Sequence, residues 1–204
     1  MRLPSALAVR SAALFCLACN NPAAAVTSAE LQARDPQYFD AVTGYRIERY
    51  RAPTPDGVPG AVRIDARTVK AMIDAGAVAI DVSVDMKGQL DRDDGTWFLA
   101  EPRMTLPGAI WLPEVGRGVI DALIAGYLER QLARLAFENR DRPLIFFCIA
   151  DCWMSWNAAQ RAAALGFREV FWFAEGTDGW LDEGFGLAPA FPPDIDLPDH
   201  GPPQ

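Results

Sequence analysis

Pro143-Leu144-Ile145-Phe146-Phe147-Cys148-Ile149-Ala150-Asp151-Cys152-Trp153-Met154-Ser155 is the stretch on which the fold turns. Four large apolar residues follow a proline, too few for a helix and without polar alternation. A run of that kind fits a strand covered on both faces, as in a parallel sheet. A helix is expected from about Ser155 to Leu165, stopped by Gly166. Cys148 thus stands at the carboxyl end of a buried strand, just before a helix start. That is where open parallel sheets gather ligands and where the next helix offers unpaired N–H groups.

Working outward, Val170-Phe171-Trp172-Phe173 reads as the next strand. Upstream, apolar positions 120, 123, 124, 127, 128, 132 and 135 trace one face of a long helix between Val119 and Phe137. Pro107 to Pro113 reads as a turn and a short strand, after a polar excursion from Lys87 to Arg103. Val78-Ala79-Ile80-Asp81-Val82 is another buried strand, preceded by the short strand Val62-Arg63-Ile64 and a helix capped by Asp65 and ended by Gly76. Strands alternating with helices imply a mostly parallel central sheet with helices on both faces.

The ends differ from this middle. Arg2 and Arg10, an apolar run from Ser11 to Ala18, and Ala23-Ala24-Ala25 have the layout of a secretory leader over residues 1–25. The run is too short to span a bilayer, and lipid attachment at Cys19 is the lesser alternative. Export would place the protein in the periplasm, where disulfides persist and where Cys148 and Cys152 are the remaining cysteines. Residues 26–61, with Pro53, Pro55, Gly57, Pro59 and Gly60, read as a surface strap; residues 62–185 form the domain; residues 186–204, holding six prolines, are expected to be disordered. The net charge of −8, or −10 once Arg2 and Arg10 leave with the leader, disfavours nucleic acid and anionic lipid as partners.

Metal and haem sites find little support. The single histidine, His200, lies in the proline-rich end, and Trp153 stands where covalent haem attachment needs histidine after the second cysteine. No cofactor or metal is therefore expected. Cys148, Cys152 and Met154 do form a soft donor set suited to Cu(I).

Phe147-Cys148, Asn157-Ala158-Ala159, Leu165-Gly166-Phe167, Val170, Glu175-Gly176 and Trp180 resemble the carboxyl half of rhodanese-like domains. Ile80-Asp81-Val82 and Leu106-Pro107-Gly108-Ala109-Ile110 are similar to two further landmarks of that family, so the likeness runs from Arg63 to Gly184. It implies a rhodanese-like three-layer α/β sandwich. A closer resemblance is to the exported rhodanese-like group named for a Cys-Trp (CXXCW) motif and associated with pyrroloquinoline-quinone-dependent (PQQ-dependent) catabolism. Gly44-Tyr45-Arg46, Arg51-Ala52-Pro53-Thr54-Pro55, the run Cys148 to Asn157, and Glu175-Gly176-Thr177-Asp178-Gly179-Trp180 carry it. That likeness implies an accessory role beside quinoprotein alcohol oxidation, with a quinoprotein dehydrogenase or cytochrome c as partner. The group has two residues between its cysteines and this chain has three. The extra loop residue resembles the dual-specificity phosphatase branch of the fold, but Trp153 and Met154 stand where that chemistry needs an arginine.

Three functions follow as alternatives. In sulfur transfer, Cys148 is the principal nucleophile. It takes sulfur from a sulfane-sulfur donor and holds a persulfide in a cradle formed by Ile149, Ala150, Asp151, Trp153, Met154 and Ser155. Asp151 opposes this by raising the thiol pKa, and Cys152 opposes it by offering a thiol that attacks the persulfide. In thiol–disulfide exchange, Cys148 and Cys152 cycle with a redox partner protein. In a non-enzymatic reading, the loop and its tryptophans dock a ligand or protein. The supporting residues are Asp81, orienting a neighbouring loop; Trp156, flanking the mouth with Trp153; Asn157; and Asp178, placed on a turn. An inert structural disulfide is the bland counterpart of all three.

Overall fold

The computed structural model describes residues 25–84, 88–136 and 141–197. The expected leader up to residue 24, the end of the long helix at Phe137 and the last residues including His200 lie outside them. No helix among the described residues is long and apolar enough to cross a membrane.

In chain order the elements are α1 (Ser28–Arg34), β1 (Val62–Arg63), α2 (Ala66–Asp74), β2 (Val78–Asp81), β3 (Gln89–Leu90), β4 (Trp97–Phe98), β5 (Arg103–Thr105) and β6 (Ile110–Trp111). There follow α3 (Ala122–Leu135), β7 (Leu144–Phe147), α4 (Trp153–Ala164), β8 (Val170–Phe173), α5 (Gly176–Asp182) and β9 (Ala188–Ala190). Five strands form one sheet in the order β1-β8-β7-β2-β6, and every pairing in it is parallel. This is the mostly parallel α/β architecture that the strand and helix pattern implies.

The strand in the opening stretch shows why. All of β7 is buried, and its side chains alternate between two cores. Leu144 and Phe146 join Leu128 and Leu132 of α3 and Ala158 and Ala162 of α4. Ile145 and Phe147 join Val69 of α2 and Trp180 of α5 on the other face. Helices α3 and α4 therefore cover one side and α2 and α5 the other. Asp65 and Asp121 cap α2 and α3 by accepting the N–H groups of Thr68 and Ile124.

Two segments depart from the expectations. The polar excursion contains a two-stranded antiparallel ribbon, β3 with β4. Residues 186–197, expected to be disordered, pack onto the domain: β9 pairs antiparallel with β5, the Tyr127 hydroxyl donates to the Pro193 carbonyl at 2.9 Å, and Ile195 is buried. Proline excludes a segment from the middle of a sheet but not from a two-stranded edge, so the proline count misleads here.

The strap lies across the amino-terminal end of α4. Trp153 and Trp156 donate their indole N–H groups to the carbonyls of Pro53 and Gly57, at 3.2 and 3.0 Å. Asn157 accepts from the Arg46 N–H at 2.9 Å and donates to the carbonyls of Arg46 and Gly116. The buried Arg46 guanidinium stacks against Tyr38, Phe39 and Trp153, with ring centroids 4.8, 4.9 and 5.1 Å away.

Candidate functional site

The loop after β7 brings Cys148 and Cys152 together as free thiols at different depths. Asp151 adopts a left-handed conformation, φ 52°, which turns the chain back toward the strand end. Helix α4 then begins at Trp153 with Cys152 as its N-cap, two residues earlier than expected. The strap makes the early start possible, because the Trp153 N–H donates to the Tyr50 carbonyl at 2.9 Å and is no longer an orphan.

The sequence reading puts Cys148 inside a ring of amides; in the structure the N–H groups of Ile149, Met154 and Ser155 act on Cys152, and of these that of Ser155 alone also acts on Cys148. The Cys148 side chain is completely buried, and its thiol lies 3.6 Å from the carbonyl oxygens of Ile149 and Cys152. Burial pushes its pKa well up, and its hydrogen bond to Cys152 adds to that, against an opposing contribution from Ser155. Cys152 moves the other way. A hydrogen bond from the Cys148 thiol lowers its pKa most, and the backbone N–H groups of Met154, Ser155 and Ile149 lower it further, while burial opposes them. The physical reason is the loop's turn at Asp151, which lays Cys152 over the helix start and leaves Cys148 on the strand below.

Cys152 opens onto a cavity of about 380 Å³, whose wall includes Tyr50 and Arg51 from the strap, Val84 after β2, Arg103 of β5, Arg117 before α3, and Met154. Strap and cysteine loop are joined by a bridge between Arg51 and Cys152 and by the Ala52 N–H donating to the Asp151 carbonyl at 2.9 Å. Two of the cations are neutralised: Arg103 pairs with Asp81 at 3.1 Å, and Arg117 pairs with Glu114. Arg51 is exposed and has no ionic partner among the described residues.

The remaining expected site residues fall into place as follows. Asp81, fully buried, accepts from the Ser83 N–H, the Thr105 hydroxyl and Arg103, and so orients the loop after β2. Asp178 stands in the first turn of α5 and not on an open turn; its carboxylate accepts from the Ala150 N–H at 2.9 Å and tethers the cysteine loop. Asp151 is exposed, and it holds the strap through its carbonyl. Ser155 is buried; its hydroxyl donates to the Cys152 carbonyl and accepts from the Trp172 indole. Trp153 and Trp156 do not flank an open mouth: each is 1% exposed and spends its N–H on the strap, so neither presents a face to a ligand. Met154 shares the cavity wall with Cys152, whereas Cys148 lies off that wall. Among the described residues no group of three or more histidine, cysteine, aspartate or glutamate side chains is placed to hold a metal.

The sequence reading missed Tyr50, Ser83, Val84, Arg103 and Arg117 as cavity residues. Only Arg51 carried a signal, as part of the Arg51-Ala52-Pro53 run.

No family model matches the chain, and no curated protein matches it. Among the solved structures similar to it are two sulfur transferases. One is a thiosulfate sulfurtransferase from Pseudomonas aeruginosa, at 20% identity and a TM-score of 0.47, covering 68% of this chain and 22% of that one. The other is the 30 kDa polysulfide-sulfur transferase homodimer from Wolinella succinogenes, at 14% identity and a TM-score of 0.41, covering 65% of this chain and 80% of that one. This chain thus spans about a fifth of the first protein, and its α/β assignment stands on its own sheet order and helix layers.

Proposed function

We propose that the protein carries sulfane sulfur as a persulfide on Cys152 and delivers it to an acceptor. One observation supports this above the rest: the only cavity-lining sulfur of the pair is also the one whose thiolate is stabilised by main-chain N–H groups at a helix start. The Cys152 thiolate attacks the outer sulfur of a donor. A new S–S bond forms, the donor's bond to that sulfur breaks, and its electron pair leaves with the donor remnant. An acceptor nucleophile then takes the outer sulfur and restores the thiolate. Cys148 keeps its proton throughout and supports the Cys152 sulfur by hydrogen bonding.

The test is to incubate the reduced full chain with inorganic polysulfide and map the added sulfur by intact mass and fragmentation. The expected result is one added sulfur atom on Cys152, lost in Cys152→Ser and kept in Cys148→Ser. Sulfur confined to Cys148, or no gain in mass, overturns the reading.

Contact between two free thiols favours a second reading, thiol–disulfide exchange with Cys152 attacking and Cys148 resolving. A reduction potential near about −200 mV supports exchange, whereas one below about −300 mV marks a structural pair.

The leader-like residues 1–25 support export to the periplasm. The resemblance of the strap and the Cys148–Asn157 run supports an accessory role beside PQQ-dependent alcohol oxidation, with a quinoprotein dehydrogenase or cytochrome c as partner. Fractionation of the native cells and growth of a deletion strain on alcohols test both.

A further inference from the structure

We infer that the donor served by Cys152 is an organic sulfane-sulfur compound, a thiosulfonate or persulfide with an apolar body and a single negative charge, and not the thiosulfate dianion. The inference rests on the reading of Cys152 as a sulfur acceptor. Two independent features of the cavity carry it.

The first is size and surface. The cavity measures about 380 Å³, within the range that accommodates whole organic ligands, and far exceeds the needs of a small inorganic anion. Val84, Ile149, Met154 and the ring of Tyr50 supply apolar wall on several sides of the thiol. Tyr50 is held in place there because its hydroxyl accepts the Gly118 N–H at 3.1 Å.

The second is charge. Of the cations on the wall, Arg103 is neutralised by Asp81 and Arg117 by Glu114, so Arg51 alone contributes an uncompensated positive charge. With Cys152 as thiolate balancing Arg51, a monoanionic donor leaves one negative charge uncompensated and a dianion leaves two, so the dianion meets the greater repulsion. A dianion would also give up its strong hydration to a largely apolar surface.

The reaction balances with such a donor. The Cys152 thiolate attacks the terminal sulfur of R–SO2–S⁻, the bond from that sulfur to the sulfonyl sulfur breaks, and its electron pair leaves as the sulfinate R–SO2⁻. With R–S–S⁻ the leaving group is the thiolate R–S⁻. In both cases the product is Cys152–S–S⁻, with two negative charges before and after.

The experiment measures the rate at which the reduced full chain gains one sulfur from thiosulfate, methanethiosulfonate and benzenethiosulfonate. Each rate is divided by that of a small free thiol with the same donor, which removes intrinsic reactivity. The benzene compound should exceed the methane compound by about tenfold or more, the gain from burying a ring, and thiosulfate should be slowest. Arg51→Ala should slow both thiosulfonates severalfold. Equal corrected rates for the two thiosulfonates, or a thiosulfate rate matching theirs, overturns the inference while leaving sulfur transfer intact if inorganic polysulfide still loads Cys152. Failure of every donor, polysulfide included, overturns the underlying reading as well.

Discussion

The Cys148 thiol donates to the Cys152 carbonyl oxygen at 3.6 Å and is the deeper of the two cysteines, 0% exposed against 6%. Of the pair, the outer sulfur ionises first and the inner one keeps its proton. Alkylation of Cys152 should therefore rise with pH through a midpoint below that of an ordinary thiol. Below that midpoint Cys152 is protonated and unreactive; above it the thiolate reacts at a plateau rate. Cys148→Ala removes the largest stabilising contact and should move the midpoint upward. Iodoacetamide rates followed by mass across pH test this, and a wild-type midpoint at or above the ordinary thiol value contradicts it.

The close of the site from the α5 side depends on Gly176. Its φ is +54°, and a β-carbon there would stand 2.4 Å from the Cys148 carbonyl oxygen, which also accepts the Thr177 N–H at 2.9 Å. Gly176→Ala should cost about 3 kcal/mol in urea unfolding, because a backbone clash adds to the left-handed conformation. Gly184, with φ +81° and open space around it, is the control. Gly184→Ala should cost only about 1 kcal/mol.

Trp153→Phe and Trp156→Phe each delete one indole N–H that holds the strap. Each should destabilise by about 1–3 kcal/mol, from a lost hydrogen bond and a small void. The sharper readout is local: limited proteolysis between Pro53 and Gly60 should accelerate in both variants before global unfolding changes. Unaltered cleavage in that segment would show that the strap is held by other contacts.

Asp81 holds three donors at the edge of the cavity. Asp81→Ala takes the acceptor from Thr105 and the carboxylate from Arg103, which keeps the Ser83 hydroxyl at 3.0 Å, and should cost about 3 kcal/mol, the lower end for a buried pair because Arg103 is 25% exposed. It also frees a cation beside Cys152. Loading by thiosulfate relative to the organic donors should therefore rise in this variant, as measured by the same mass assay.

Much of the architecture was legible because burial writes itself into composition. Leu144 to Phe147 has no polar face, and a strand with none must be covered twice, which places helices on both sides. Asp65, Gly76 and Gly166 marked helix limits for local reasons that hold in the folded chain. The site was less legible. Which cysteine receives the amides is decided by a left-handed turn at Asp151, a residue with no Cβ-free signature for it. Val84, Arg103 and Arg117 meet only because the end of β2, the start of β5 and the segment before α3 converge, and no spacing records such a meeting. Trp153 and Trp156 are identifiable beside the loop, but their N–H partners are main-chain carbonyls, which every residue possesses.

The strap joins segments far apart in the chain: Arg46 meets Asn157 across 111 positions, and Trp153 meets Pro53 across 100. Closing such long loops carries a large entropic cost that is recovered only when both ends have formed. During synthesis the strap emerges first and waits for its docking groove until α4 has left the ribosome. The wall around Cys152 is therefore completed only after α4 is made, and until then the thiols are present without the surface that selects what they meet.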